Sequence, residues 1–114
     1  MQKEQASFLK QISIPVKLIL IWLIIGTLTF HSIEDWSFAE SFYYSVTTLT
    51  TVGYGDYTPT TDINRIIVAF YMLIGVTIAL GSFGYIGSSY LDLREDRRLK
   101  RAERIKRLRN KKNK

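Results

Sequence analysis

The sequence predicts an all-α membrane protein in which two transmembrane helices flank a short re-entrant helix and a glycine-bearing loop. Three observations predict it. Residues 66–91 run for 26 positions without a charged side chain. Residues 16–30 form a second apolar stretch, interrupted only by Lys17, Thr27 and Thr29. Between them lies a helical segment too short to span, ending in Val52-Gly53-Tyr54-Gly55, which no helix former would write. About 20 apolar residues cross a hydrocarbon core of about 30 Å. Irregular backbone at that depth is tolerated only where protein or water surrounds it.

Charge is placed unevenly along the chain. Its 114 residues leave room for one domain and carry a net charge of +6. Residues 1–26 have net +2, residues 27–91 net −4, and residues 92–114 net +8. The basicity therefore belongs to the termini. Cysteine is absent and there is a single histidine, so disulfides, thiolate metal sites and a Cys nucleophile are excluded. The carboxylates Glu34, Asp35 and Glu40 accompany no nucleophile and base, which argues against an enzyme.

Residues 1–14 place Phe8, Leu9 and Ile12 on one face, which suits a short cytoplasmic segment at the membrane surface or a frayed terminus. Pro15 fits the first turn of the next helix, where its missing N–H does no harm. The outer span is expected over about residues 15–33, with Lys17 snorkelling to the headgroups. It carries no arginine repeat, so it is no voltage-sensing helix. Trp22 is a lipid-facing or interhelical residue, His31 a solvated end-of-span residue, and Trp36 an interfacial anchor.

Ser37-Phe38-Ala39-Glu40 reads as a capping box that starts a helix over about residues 38–50. The partial negative charge at this helix's C-terminal end favours a nearby cation. In the loop that follows, glycines alternate with bulky residues. Gly accepts positive φ at little cost, so successive carbonyls there can face one axis and replace a cation's water. In the return stretch, residues 56–62, Pro59 blocks helix continuation from the preceding side. Asp62 is the expected N-cap of the last span, about residues 62–91, and Arg65 is its natural partner. Thr77, Gly81, Gly84 and Ser88 recur at i, i+4, i+7 and i+11, a small face suited to close helix approach. Leu93, Leu99, Ala102, Ile105 and Leu108 extend a helical pattern into the tail, residues 92–114.

Thr48 to Gly55 fits T-x-x-T-x-G-Y-G, and Asp56 follows it. The stretch resembles the signature of potassium channels, and the chain resembles their two-transmembrane pore subunits. The resemblance implies a passive, potassium-selective channel assembled from this chain and three further copies of itself around one axis. It implies potassium ions held by the carbonyls of Thr51, Val52, Gly53 and Tyr54, with the Thr51 hydroxyl at the innermost site. Gly53 and Gly55 would permit that backbone, while the Tyr54 ring packs against the short helix. Asp56 would bond into that helix, with Tyr44 its candidate partner. Thr47 stands where some relatives carry a carboxylic acid, so a carboxyl–carboxylate pair with Asp56 is excluded.

On the inner helix, the resemblance puts a hinge at Gly75, which lies 24 positions after Thr51. It turns Val76, Ala79, Phe83 and Gly87 toward the axis. Phe83 is then either a hydrophobic constriction or an aromatic packed against lipid or the first span. The tail forms a bundle, lies on anionic lipid or stays solvated. The charge of +8 per chain opposes the bundle, and no folded module accompanies the basic run to suggest nucleic acid. No Lys or Arg occurs between Gly26 and Asn64. The positive-inside rule therefore makes this a multi-pass protein of the cell membrane with both termini cytoplasmic. The competing reading is a small membrane anchor with a basic tail.

Overall fold

The structure is a computed structural model and describes residues 2–114. It has three helices: α1, Gln2–Ile33; α2, Phe38–Leu49; and α3, Asp62–Lys112. The molecule measures 79 × 20 × 19 Å. Its long dimension is that of α3, whose 51 residues extend about 76 Å at 1.5 Å each. α1 lies along α3, and α2 packs into the angle between them. Both α1 and α3 are long and apolar enough to cross a membrane.

One boundary differs from the sequence expectation. α1 does not break at Pro15, so residues 2–14 are helically continuous with the outer span. From Gln2 the chain runs as one helix with Pro15 inside it and buried. An interior proline removes one helical hydrogen bond and crowds the preceding turn, at about 3 kcal/mol. Contact with α3 offsets that: Phe8 and Leu9 line a cleft with Tyr90 and Leu93, and Glu4 pairs with Lys100. As the tail's helical pattern suggests, α3 continues through Asp92 without interruption.

The capping box forms as expected. Ser37 N–H donates to Glu40 Oε2 at 2.7 Å, and Glu40 N–H donates to Ser37 Oγ at 3.2 Å. At the start of α3 the N-cap is Thr61 rather than Asp62. Thr61 Oγ1 accepts from Asn64 N–H at 3.1 Å. Asp62 sits in the first turn, where its charge suits the helix dipole, and pairs with Arg65 at 3.1 Å.

An aromatic chain ties the three helices together. Trp22 stacks on Tyr71 with centroids 5.2 Å apart. Phe30 meets Tyr71 and Tyr44 edge-on at 4.9 and 5.0 Å. Trp36 then joins Tyr44 to Tyr57 of the return loop. Each such pair contributes about 0.5–1.5 kcal/mol beyond the area it buries. Close approach of α1 depends on Gly26, where a Cβ would lie 2.3 Å from Tyr71 Oη and 2.7 Å from Ser45 Oγ. Trp22 is thus interhelical.

The face of α3 that packs inside the subunit comprises Val68, Tyr71, Gly75, Ala79, Ser82 and Ser89. The small face expected from Thr77, Gly81, Gly84 and Ser88 is exposed, and a Cβ at Gly81 or Gly84 would meet nothing. Leu20, Ile21, Ile24 and Leu28 of α1 and Ile66, Phe70 and Leu73 of α3 also face outward. An exposed apolar surface of this extent belongs against lipid or other chains.

Candidate functional site

The site is the loop that leaves α2. α2 ends at Leu49, and the φ angles of Thr51, Gly53 and Gly55 are +62°, +50° and +77°. Every second residue is therefore left-handed. Thr51 is the exception to the glycine rule, since a side chain there costs about 1–2 kcal/mol.

The amides of this loop turn back on the helix. Thr47 O accepts from Val52 N–H at 2.9 Å and Gly53 N–H at 3.1 Å, and Thr48 O accepts from Thr51 N–H at 3.1 Å. The peptide bonds are trans, so each carbonyl points opposite to the next residue's N–H. The carbonyls of Thr51 and Val52 consequently point away from α2, into the space beside the subunit. Thr51 to Gly55 are all exposed. Among the described residues no group of three or more His, Asp or Glu side chains could hold a metal ion. The oxygens this loop offers are peptide carbonyls and the hydroxyls of Thr51 and Tyr54.

The surrounding residues fix the loop at both ends. Thr47 is buried, and its Oγ1 donates to Tyr44 O at 3.1 Å. Tyr44 lies between Phe30 and Trp36. Asp56 lies near the Tyr43 hydroxyl, and the bond expected between it and Tyr44 does not form. Helical geometry explains the change: neighbouring residues differ by about 100°, and the aromatic core claims Tyr44. The Tyr54 ring is 71% exposed, so the subunit's own α2 covers little of it.

Two carboxylates organise the return path. Glu34, just past α1, is buried. Its Oε1 accepts from Thr60 N–H at 2.9 Å and Asn64 Nδ2 at 3.0 Å, and its Oε2 accepts from Thr60 Oγ1 at 2.8 Å. Burial raises its pKa, but the bonds from Thr60 and Asn64 outweigh that and leave it below the ordinary carboxylate value. Glu40 accepts from the Tyr57 hydroxyl at 3.2 Å while capping α2. Bonds from Ser37 and Tyr57 hold its pKa down as well. His31 is exposed, and its Nδ1 donates to Trp36 O at 2.7 Å, closing the turn between α1 and α2. Sequence reading missed the Glu34 clamp, whose partners lie 26 and 30 positions away. The one local signal was a carboxylate at the end of an apolar span.

On α3 the expected residues separate. Gly75 is buried, and a Cβ there would lie 2.5 Å from Trp22 Nε1 and 3.0 Å from Leu49 Cδ1. Ala79 is 4% exposed and belongs to the packed face, which corrects its assignment toward an axis. Phe83 and Gly87 are exposed on a neighbouring face.

Two apolar helices joined by a short helix and a carbonyl-presenting loop define a membrane pore-loop subunit. The chain belongs to the Ion channel family, which matches residues 17–91. It is 34% identical over 104 residues to Potassium channel protein 1 of Methanocaldococcus jannaschii, covering 89% of this chain and 31% of that one. It is 37% identical over 82 residues to TWiK family of potassium channels protein 7 of Caenorhabditis elegans, covering 68% and 15%. It is 40% identical over 63 residues to Potassium channel subfamily K member 16 of Homo sapiens, covering 54% and 20%. The chain spans less than a third of the length of each of these relatives.

Proposed function

We propose that the chain conducts potassium selectively and passively across the cell membrane as a homotetramer. One observation carries the reading: the Thr51–Gly55 loop turns its amides into α2 and its Thr51 and Val52 carbonyls outward. A single subunit gives those carbonyls nothing to surround. Four copies about one axis form a column of oxygens that replaces the water of a dehydrated cation. Thr51, Val52, Gly53 and Tyr54 supply the carbonyls, and the Thr51 hydroxyl completes the inner site. The intact Thr-Val-Gly-Tyr-Gly sequence and the names of the relatives support potassium as the ion.

The exposed Tyr54 ring finds its packing against the neighbouring copies. Asp56, Tyr43, Tyr44 and Thr47 support the loop from behind. Phe83 and Gly87 face the axis and form the candidate gate, and Gly75 above them packs against Trp22. The basic residues near both termini support a cytoplasmic location for them, where the tail meets the anionic leaflet.

Reconstitution into liposomes tests the reading. The protein is expected to support potassium flux that barium blocks, with little sodium flux. Absence of flux from correctly oriented tetramers contradicts conduction, and equal sodium and potassium fluxes contradict selectivity.

A further inference from the structure

We propose that each subunit carries a paired hinge, at Ser13–Pro15 in α1 and Gly81–Ser88 in α3, and that the two helix ends beyond it swing as one body. The proposal concerns motion within one subunit and holds whether or not the assembly conducts.

Each long helix is softened in one place, and the two places face each other. Pro15 lies inside α1 and has no N–H to give to the Gln11 carbonyl. Two residues earlier, Ser13 Oγ donates to Lys10 O at 2.7 Å, a bond that competes with the helix's own. Ile14, Pro15 and Leu18 line a cleft of about 360 Å³ with Gly81, Ser82 and Tyr85 of α3. From Gly81 to Gly87, α3 has three glycines in seven residues. Ser88 Oγ then donates to Tyr85 O at 2.9 Å. Sharp bends in helices concentrate at proline and at Gly/Ser pairs, and Gly81-Ser82 and Gly87-Ser88 are two such pairs. Packing within the subunit does not account for these glycines. A Cβ at Gly81, Gly84 or Gly87 would meet nothing, whereas one at Gly26 or Gly75 would collide with Tyr71 or Trp22.

On either side of these turns the helices are fastened to each other. Toward α2, Trp22 stacks on Tyr71, and Tyr71 Oη donates to Trp22 O at 3.2 Å. Gly75 packs against the same indole, so α3 is held straight there. Toward the chain ends, Phe8 and Leu9 share a cleft with Tyr90 and Leu93, and Glu4 pairs with Lys100. Residues 2–12 are thus tied to residues 89–112, and the pair joins the rest of the subunit through the two soft turns. A bend in one helix has to be matched in the other, as in a rigid-body hinge. A bend of about 20° carries the far end of α3, about 36 Å beyond Ser88, through about 12 Å. In the proposed tetramer such a swing changes how closely the copies approach below Gly87.

Hydrogen–deuterium exchange of the full chain in lipid nanodiscs, read by mass spectrometry, tests the pairing. Bending opens helical hydrogen bonds, so the amides of residues 13–18 and 84–89 are expected to exchange faster than those of residues 20–30 and 68–76. P15A returns a donor to the Gln11 carbonyl and is expected to slow exchange about fivefold in both turns. G84A/G87A, whose new methyl groups meet nothing, is expected to do the same. Slowing confined to the helix that carries the substitution would mean two independent soft turns and would overturn the proposal. Exchange in the unmodified chain no faster at these turns than elsewhere would overturn it too. Dissociation of the G84A/G87A assembly with exchange in α1 unchanged would show that the glycines serve contact between copies, and would also overturn it. The readout is amide exchange, so a chain that bends in this way without passing potassium refutes only the conduction reading.

Discussion

At Thr51 a β-branched residue holds φ at +62°, and this strain persists because the amides on either side are tied to the carbonyls of Thr47 and Thr48. The glycines at 53 and 55 meet the same backbone demand without a side-chain cost. Tyr54 is different, since its ring is 71% exposed in the subunit and in the proposed tetramer packs between copies. Tyr54→Asp is therefore expected to reduce potassium selectivity. Reversal potentials in mixed sodium and potassium should shift toward the sodium equilibrium value, and unchanged potentials would refute the role. Gly75 offers a second test. A Cβ there meets Trp22 Nε1 at 2.5 Å, so Gly75→Ala is expected to destabilise the subunit by about 1–3 kcal/mol. Trp22→Leu in the same chain should recover part of the loss. Altered gating with undiminished thermal stability would instead favour flexibility over packing as the reason for this glycine.

Among the elements, α2 is held from outside by its cap and from inside by the aromatic chain, while the loop after it depends on Glu34. That carboxylate joins the end of α1 to Thr60 and to Asn64 on α3. Its pKa is lowered in the folded protein. A depressed carboxylate stabilises the fold above its ordinary value, 4.5, and the contribution is lost as pH falls through the depressed one. Glu34→Gln is expected to cost about 1–3 kcal/mol at pH 7. It should also flatten the acid side of the stability profile, as measured by thermal unfolding in detergent. An acid slope equal to that of the unmodified chain would show that another group governs it. The capping box, the short helix and the two apolar spans were legible because their signals lie within a few residues of one another. Which residue caps α3 and whether α1 breaks at Pro15 were not. Those outcomes depend on contacts such as Glu4 with Lys100 and Tyr44 with Phe30, which local pattern does not encode.

For the whole molecule, the exposed apolar flanks and the outward carbonyls fit the proposed tetramer, in which lipid and other copies of the chain cover them. The signature at Thr48–Asp56 was readable by eye, since the chemistry needs those residue types in that order. The inner-helix face was not. The small residues that pack inside the subunit are Gly75, Ala79, Ser82 and Ser89, whereas periodicity singled out the stripe now exposed. Both stripes satisfy a helical repeat, and only the position of α1 distinguishes them. The most direct test is a crystal structure of the assembled protein grown with thallium in place of potassium. Anomalous density is expected as a column on a fourfold axis between four copies of residues 51–54. Density absent from that axis, or bound within one subunit, would contradict the account.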